Sequence, residues 1–252
     1  MRKIWRNTLA IILVSPVVYL LVLSLSQKWL FPKLIPDLSL SNWQKLFDGQ
    51  SDLGSSLITS LLLSISIAFV ATALAFVTSH YLFLSSKADL FKKLAILPFA
   101  LSPIIFAIAI SFYFNYFGIS ASVIGVGLAQ LFIVYPYALL LFSGFWNAKH
   151  HDYKNLVATL GGSHLDQWRN ALIPISKQML LISFFQSFLI SWFDFGLTQY
   201  IGIGKVKTLT IQVYSLVNEA NPYVAAVAAM LLILPPLALL YINKLFILKN
   251  AS

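Results

Sequence analysis

Long uncharged runs broken by short charged segments set the pattern of this chain. No Asp, Glu, Lys or Arg stands between Arg6 and Lys28, Asp52 and Lys87, Lys93 and Lys149, or Glu219 and Lys244. Lys177 to Lys205 is interrupted by Asp194 alone. A membrane-crossing helix needs about 20 mainly apolar residues. Four of these runs therefore hold one span each, and the run from Lys93 to Lys149 is long enough for two joined by a turn. The pattern predicts an all-α membrane protein with six transmembrane helices, over 8–26, 57–83, 95–115, 121–145, 178–199 and 223–243. They form a single membrane domain over 1–252, with neither an internal repeat nor a soluble domain.

Composition agrees with that pattern. The 252 residues are 59% hydrophobic and 10% charged, against roughly 25% charged in a soluble domain. The basic start followed by Thr8–Leu25 has the look of a secretory leader. It lacks an Ala-x-Ala cleavage site, so it is expected to be retained as the first span. The absence of cysteine excludes disulfides and thiol chemistry.

The net charge of +9 reads as topology rather than nucleic-acid binding. With the N-terminus inside, Arg2, Lys3, Arg6, Lys87, Lys92, Lys93, Lys149, Lys154, Arg169, Lys177, Lys244 and Lys249 face the cytoplasm. Lys28, Lys33, Lys45, Lys205 and Lys207 lie outside. That bias follows the positive-inside rule and predicts that both termini are cytoplasmic. Trp5, Trp29, Trp43, Trp146 and Tyr241, near span ends, read as interface anchors. Pro98, Pro103, Pro136 and Pro235-Pro236 fall within spans and are expected to bend them.

One polar insert, Lys149–Lys177, breaks the hydrophobic pattern. Asn155–Leu160 reads as a short helix, ended by Gly161-Gly162. Ser163 caps a second helix over His164–Leu172 with Asp166 in its first turn. Leu165, Trp168 and Leu172 are expected on one face of it, and Pro174 marks re-entry toward the fifth span. Such a projection can dock a partner or lie as an amphipathic helix on the membrane surface.

The insert resembles the cytoplasmic signature of binding-protein-dependent ABC importer permeases, Glu-Ala-Ala-x3-Gly-x9-Ile-x-Leu-Pro. Asn155-Leu156-Val157 stand at the triplet, followed by Ala158, then Gly161, and after nine residues Ala171-Leu172-Ile173-Pro174. The spacing is kept while the triplet, with its acidic residue, is not. Leu97-Pro98 through Ser102-Pro103, Trp192–Gly196 and Thr208–Ser215 resemble further family segments, so the likeness covers roughly 40–245. The nearest group is that of the spermidine/putrescine, iron(III), thiamine and phosphonate permeases.

That resemblance implies the type I importer fold in a bacterial inner membrane. It also implies ATPase coupling through Asn155, Leu156, Val157, Ala158, Gly161, Ala171, Ile173 and Pro174. The implied partners are ABC ATPase subunits, a solute-binding protein and a second permease. The degenerate triplet favours a heterodimer, with the partner keeping the better signature. No phosphate-binding Gly-x4-Gly-Lys-Ser/Thr loop is present. ATP and Mg would therefore belong to the ATPase, and this chain would carry no cofactor, metal site or catalytic residue.

For the solute path the sequence offers Ser183, Gln186, Ser187, Ser191, Asp194 and Thr198, a stripe at helical spacing on the fifth span. An intramembrane carboxylate is costly and points to function. Interhelical hydrogen bonding is the competing reading of the same stripe. The rival function is a stand-alone secondary transporter or channel, and folds of that kind usually carry internal repeats.

Overall fold

The computed structural model describes residues 2–27, 29, 33, 35–46, 52–83, 85, 88–97 and 102–249. The expectations at Lys28, Lys87 and Pro98 lie outside the described residues. The chain divides into two compact units, residues 1–61 with 207–238 and residues 62–206 with 239–252.

In the first unit, α1 (Arg2–Ser24) exposes Ile11 and Leu13 on different sides, as a helix surrounded by lipid does. The polar loop after it is tied by side chains. Asn42 is buried and donates to the Ser26 carbonyl at 2.8 Å, while Ser26 pairs with Leu38 in an isolated antiparallel bridge. The Ser41 hydroxyl does not cap the short α2 (Ser41–Gln44); its backbone N–H instead donates to Ser39 Oγ at 3.1 Å. The first turn of α11 (Leu209–Asn218) is held by α3 (Leu53–Phe83), where Ser60 Oγ accepts the Leu209 N–H at 2.7 Å. Lys207 pairs with Asp52, and the Trp29 N–H reaches the Tyr223 hydroxyl of α12 (Pro222–Lys249) at 2.7 Å.

The second unit packs the rest of α3 with α4 (Ala88–Ile96), α5 (Pro103–Tyr116) and α6 (Val123–Ser143). Ala68, Ala71 and Ala75 on α3 are fully buried. Small residues three and four apart let backbones approach closely where lipid supplies no hydrophobic drive between helices. One core cluster joins Leu63 and Ile67 of α3 to Ala107 and Phe114 of α5 and to Val126 and Val134 of α6. A second joins Phe76 of α3 to Leu139 and Phe142 of α6, Trp146 and Leu172.

Among the described residues, five helices are long and apolar enough to cross a membrane: Asn7–Ser24, Leu53–Phe83, Val123–Ser143, His164–Trp192 and Pro222–Lys244. The span expected over 95–115 differs. Residues 95–96 end α4, and the long helix in this stretch is α5, 14 residues, which gives about 21 Å of helix against a hydrocarbon core of roughly 30 Å. Pro103 explains the start. It lacks an N–H and disfavours helical geometry in the preceding residue, so Ser102 is extended (φ −59, ψ 137) and Pro103 opens the helix rather than bending it. Pro136 and Pro235-Pro236 do lie inside helices.

Candidate functional site

The insert begins earlier than its sequence pattern indicates, with α7 running Ala148–Thr159. Its end is a double stop. The Gly161 N–H bonds the Ala158 carbonyl at 3.0 Å and the Gly162 N–H bonds the Val157 carbonyl at 2.9 Å. With Gly161 left-handed at φ +80, this is the Schellman arrangement, which favours glycine at that position. A capping box follows at once. The Asp166 N–H donates to Ser163 Oγ at 3.3 Å, and the Ser163 N–H donates to Asp166 Oδ2 at 2.9 Å. Two helix ends are thus satisfied within a few residues, and the corner between them is set by backbone geometry. Ser163→Ala is expected to raise amide exchange over 163–167 about fivefold, the effect of losing one cap, read by hydrogen–deuterium exchange.

Beyond the corner the second helix does not stop. α8 (His164–Gln167) passes through a π turn (Trp168–Leu172) into α9 (Ile173–Trp192). Pro174 accounts for the π turn. It has no N–H for the carbonyl of Asn170, and its ring would crowd that carbonyl; widening the turn accommodates both. Re-entry at Pro174 is therefore a bulge inside a continuous helix. The π turn also splits the apolar face expected for Leu165, Trp168 and Leu172. Leu172 is fully buried and Trp168 packs on Phe76, whereas Leu165 is 81% exposed.

Among the signature positions, Ala171 is buried and Val157 half-buried, while Asn155, Leu156, Ala158, Gly161, Ile173 and Pro174 are exposed. Tyr153, Leu156, Leu160 and Leu165 add exposed apolar surface around the corner, with Leu160 at 80%.

The polar stripe is not carried by one helix. α9 ends at Trp192, and α10 starts at Gly196 and runs to Gly202. Asp194 lies in the break and Thr198 on the next helix. Asp194 itself makes the break: Oδ1 accepts the Leu197 N–H at 3.3 Å, and Oδ2 accepts the Thr198 N–H at 3.0 Å and its hydroxyl at 2.8 Å. A carboxylate bonded to the next turn's N–H groups competes with helix continuation and caps α10.

The stripe's neighbour is a residue that the sequence pattern did not single out. Gln130 of α6, 1% exposed, donates through Nε2 to Asp194 Oδ2 (3.1 Å) and Thr198 Oγ1 (3.2 Å). Its Oε1 accepts the Ser191 hydroxyl at 2.6 Å. Ser191 also reaches Ser64 of α3 at 3.3 Å, and Ser183 lies 3.5 Å from Thr72 of α3. Ser187 is buried with no hydrogen-bond partner for its hydroxyl among the described residues, and Gln186 is half-buried. Gln130 had a signal: it is the one amide or charged side chain between Asn115 and Asn147. Beside this network is a cavity of about 180 Å³, lined by Gln130, Ile133, Val134, Ile190, Asp194 and Leu197.

A multi-helical membrane protein with a rigid projecting corner and a buried polar network in its spans has the build of a transport permease. The chain is similar to the molybdenum transport system permease protein ModB of Mycobacterium tuberculosis and to that of Mycobacterium bovis. Each is 27% identical over 196 residues, covering 69% of this chain and 74% of the relative. No family model matches the chain. The likeness agrees with the class that the insert's family resemblance implies, a multi-pass permease subunit of an ABC importer in the bacterial inner membrane.

Proposed function

We propose that the chain forms half of a solute path together with a second permease and is driven by ATPase subunits docked on residues 150–174 at the cytoplasmic face. A heterodimer is favoured over a homodimer, since the degenerate triplet leaves room for a partner that keeps the acidic residue. A solute-binding protein delivers cargo from outside. ATP and Mg belong to the ATPase.

The observation that carries this reading is the corner at Gly161–Asp166. A projection can move a bundle only if it is stiff, and this one is closed on one side by backbone bonds and on the other by the Ser163–Asp166 capping box, while presenting Leu156, Leu160 and Leu165 outward. The membrane-surface alternative would favour a single continuous apolar face, whereas Leu165 and Leu172 diverge. Leu165→Asp is expected to weaken ATPase association roughly 30-fold or more, since losing a buried leucine contact costs about 2 kcal/mol or more. ATPase yield on co-purification and titration of the subunits measure it.

The path is proposed to pass the polar residues Ser183, Gln186, Ser187, Ser191, Asp194 and Thr198, near the cavity at Gln130. Asp194 serves there as a positioning residue. Its carboxylate is engaged by Gln130, Leu197 and Thr198, so its charge is taken up in holding the break between α9 and α10. The Mycobacterium relatives bring a molybdenum-containing solute forward beside polyamine, thiamine, iron(III) and phosphonate. Competition among these solutes for uptake by the reconstituted importer decides between them.

A further inference from the structure

We infer that His80 is the joint through which motion of the insert reaches α3, a positioning role that rests on the coupling reading above. His80 sits in the last turn of α3 and is 2% exposed. Two tryptophans flank it edge-on: Trp146, just beyond α6, with ring centroids 4.8 Å apart, and Trp168 of the π turn at 5.3 Å. Trp168 also meets Phe76 at 5.4 Å, and Trp146 is fixed by donating its Nε1–H to Ser79 Oγ at 2.8 Å. From α7, Lys154 Nζ lies 3.5 Å from His80 Nε2. Lysine is donor only, so the imidazole nitrogen accepts.

Both halves of the insert therefore bear on one side chain of α3: α7 through Lys154 and the segment after the corner through Trp168. A displaced insert must move His80 or separate closely packed rings, and packed aromatic interiors shift between discrete arrangements rather than stretching. α3 then carries the shift over about 24 Å of helix to Ser64, which meets Ser191 and hence Gln130 and Asp194. Thr72, midway, meets Ser183. The joint thus connects the docking corner to the polar network by a second route beside the continuous α8–α9 helix.

The chain has no native cysteine, so two spin labels report on the joint directly, at Asp152→Cys on the insert and Phe69→Cys on exposed α3. The experiment uses the native complex with its ATPase, with and without ATP plus vanadate. Insert and α3 are expected to move as one body, giving one narrow distance peak in both states. His80→Ala should keep that peak without nucleotide and gain a second, displaced peak with it, and His80→Phe should abolish the second peak. A single unchanged peak in both states of His80→Ala overturns the inference. So does a peak already displaced without nucleotide, which would mark a merely structural role. Where His80→Ala does not assemble, Trp168→Leu is read by the same two states. An ATPase that does not co-purify even with the unsubstituted chain would instead remove the coupling reading itself.

Discussion

Gly161→Val is expected to leave the ATPase hydrolysing ATP while uptake falls at least tenfold. Gly161 holds φ +80, and a Cβ built there meets nothing within 4 Å, so the penalty is backbone strain and not a clash. A residue forced into a sparsely populated backbone region costs about 1–3 kcal/mol, with β-branched side chains at the upper end. At about 1.4 kcal/mol per tenfold change, that depopulates the closed corner by roughly 5- to 150-fold. Asparagine visits the left-handed region far more readily than valine does, so Gly161→Asn should retain most of the uptake. The contrast between the two variants, measured as uptake per ATP in proteoliposomes of the intact complex, isolates the corner's geometry from the loss of a glycine. Equal uptake in both would sever the corner from coupling.

Asp194→Ala is the second large effect, expected first as lost stability, by about 2–3 kcal/mol. Interhelical hydrogen bonds within membrane proteins average only about 0.6 kcal/mol, so the bond from Gln130 alone would predict a mild variant. What decides the magnitude is the pair of backbone N–H groups at Leu197 and Thr198 that the carboxylate accepts. Orphaned in a half-buried break, each adds a desolvation penalty of about 1–3 kcal/mol. Thr198→Val removes a hydroxyl donor and leaves those N–H groups capped, so it should cost under about 1 kcal/mol. Asp194→Asn keeps an oxygen at the shared Oδ2 position but sets its amide NH2 against the Leu197 N–H, so it is expected to fold with a loss of about 1 kcal/mol and to keep uptake within about threefold of the parent, a difference under 1 kcal/mol. Thermal unfolding in detergent ranks the three. A fully folded Asp194→Asn with uptake reduced a hundredfold would instead place the charge in the solute path.

The parts of this molecule legible in the sequence are those written in local patterns. Uncharged runs located the five long helices, because an apolar medium tolerates few charges over 20 residues. Gly161-Gly162 followed by Ser163 and Asp166 announced the corner, because left-handed glycine and capping serine are properties of single positions. The pattern failed where one residue's effect depends on another helix. Helical spacing placed Asp194 and Thr198 on one face with Ser183, Ser187 and Ser191. Spacing alone cannot foresee that the carboxylate would bond the N–H groups ahead of it and end α9 at Trp192. Pro174 likewise reads as a stop, yet the chain absorbs it in a π turn and continues. Gln130 and His80 went unselected because each stands isolated in an apolar run and takes its meaning from long-range partners, Asp194 and Ser191 for one, Trp146 and Trp168 for the other.

The most direct test is purification of the chain from its native membrane, reconstitution into proteoliposomes and measurement of molybdate, polyamine, thiamine, iron(III) and phosphonate uptake with and without ATP. The account predicts that an ATPase and a second permease accompany the chain and that uptake of one of these solutes ceases when ATP is withdrawn. A chain that purifies alone and accumulates solute on a proton gradient, indifferent to ATP, would contradict it and identify a stand-alone secondary transporter.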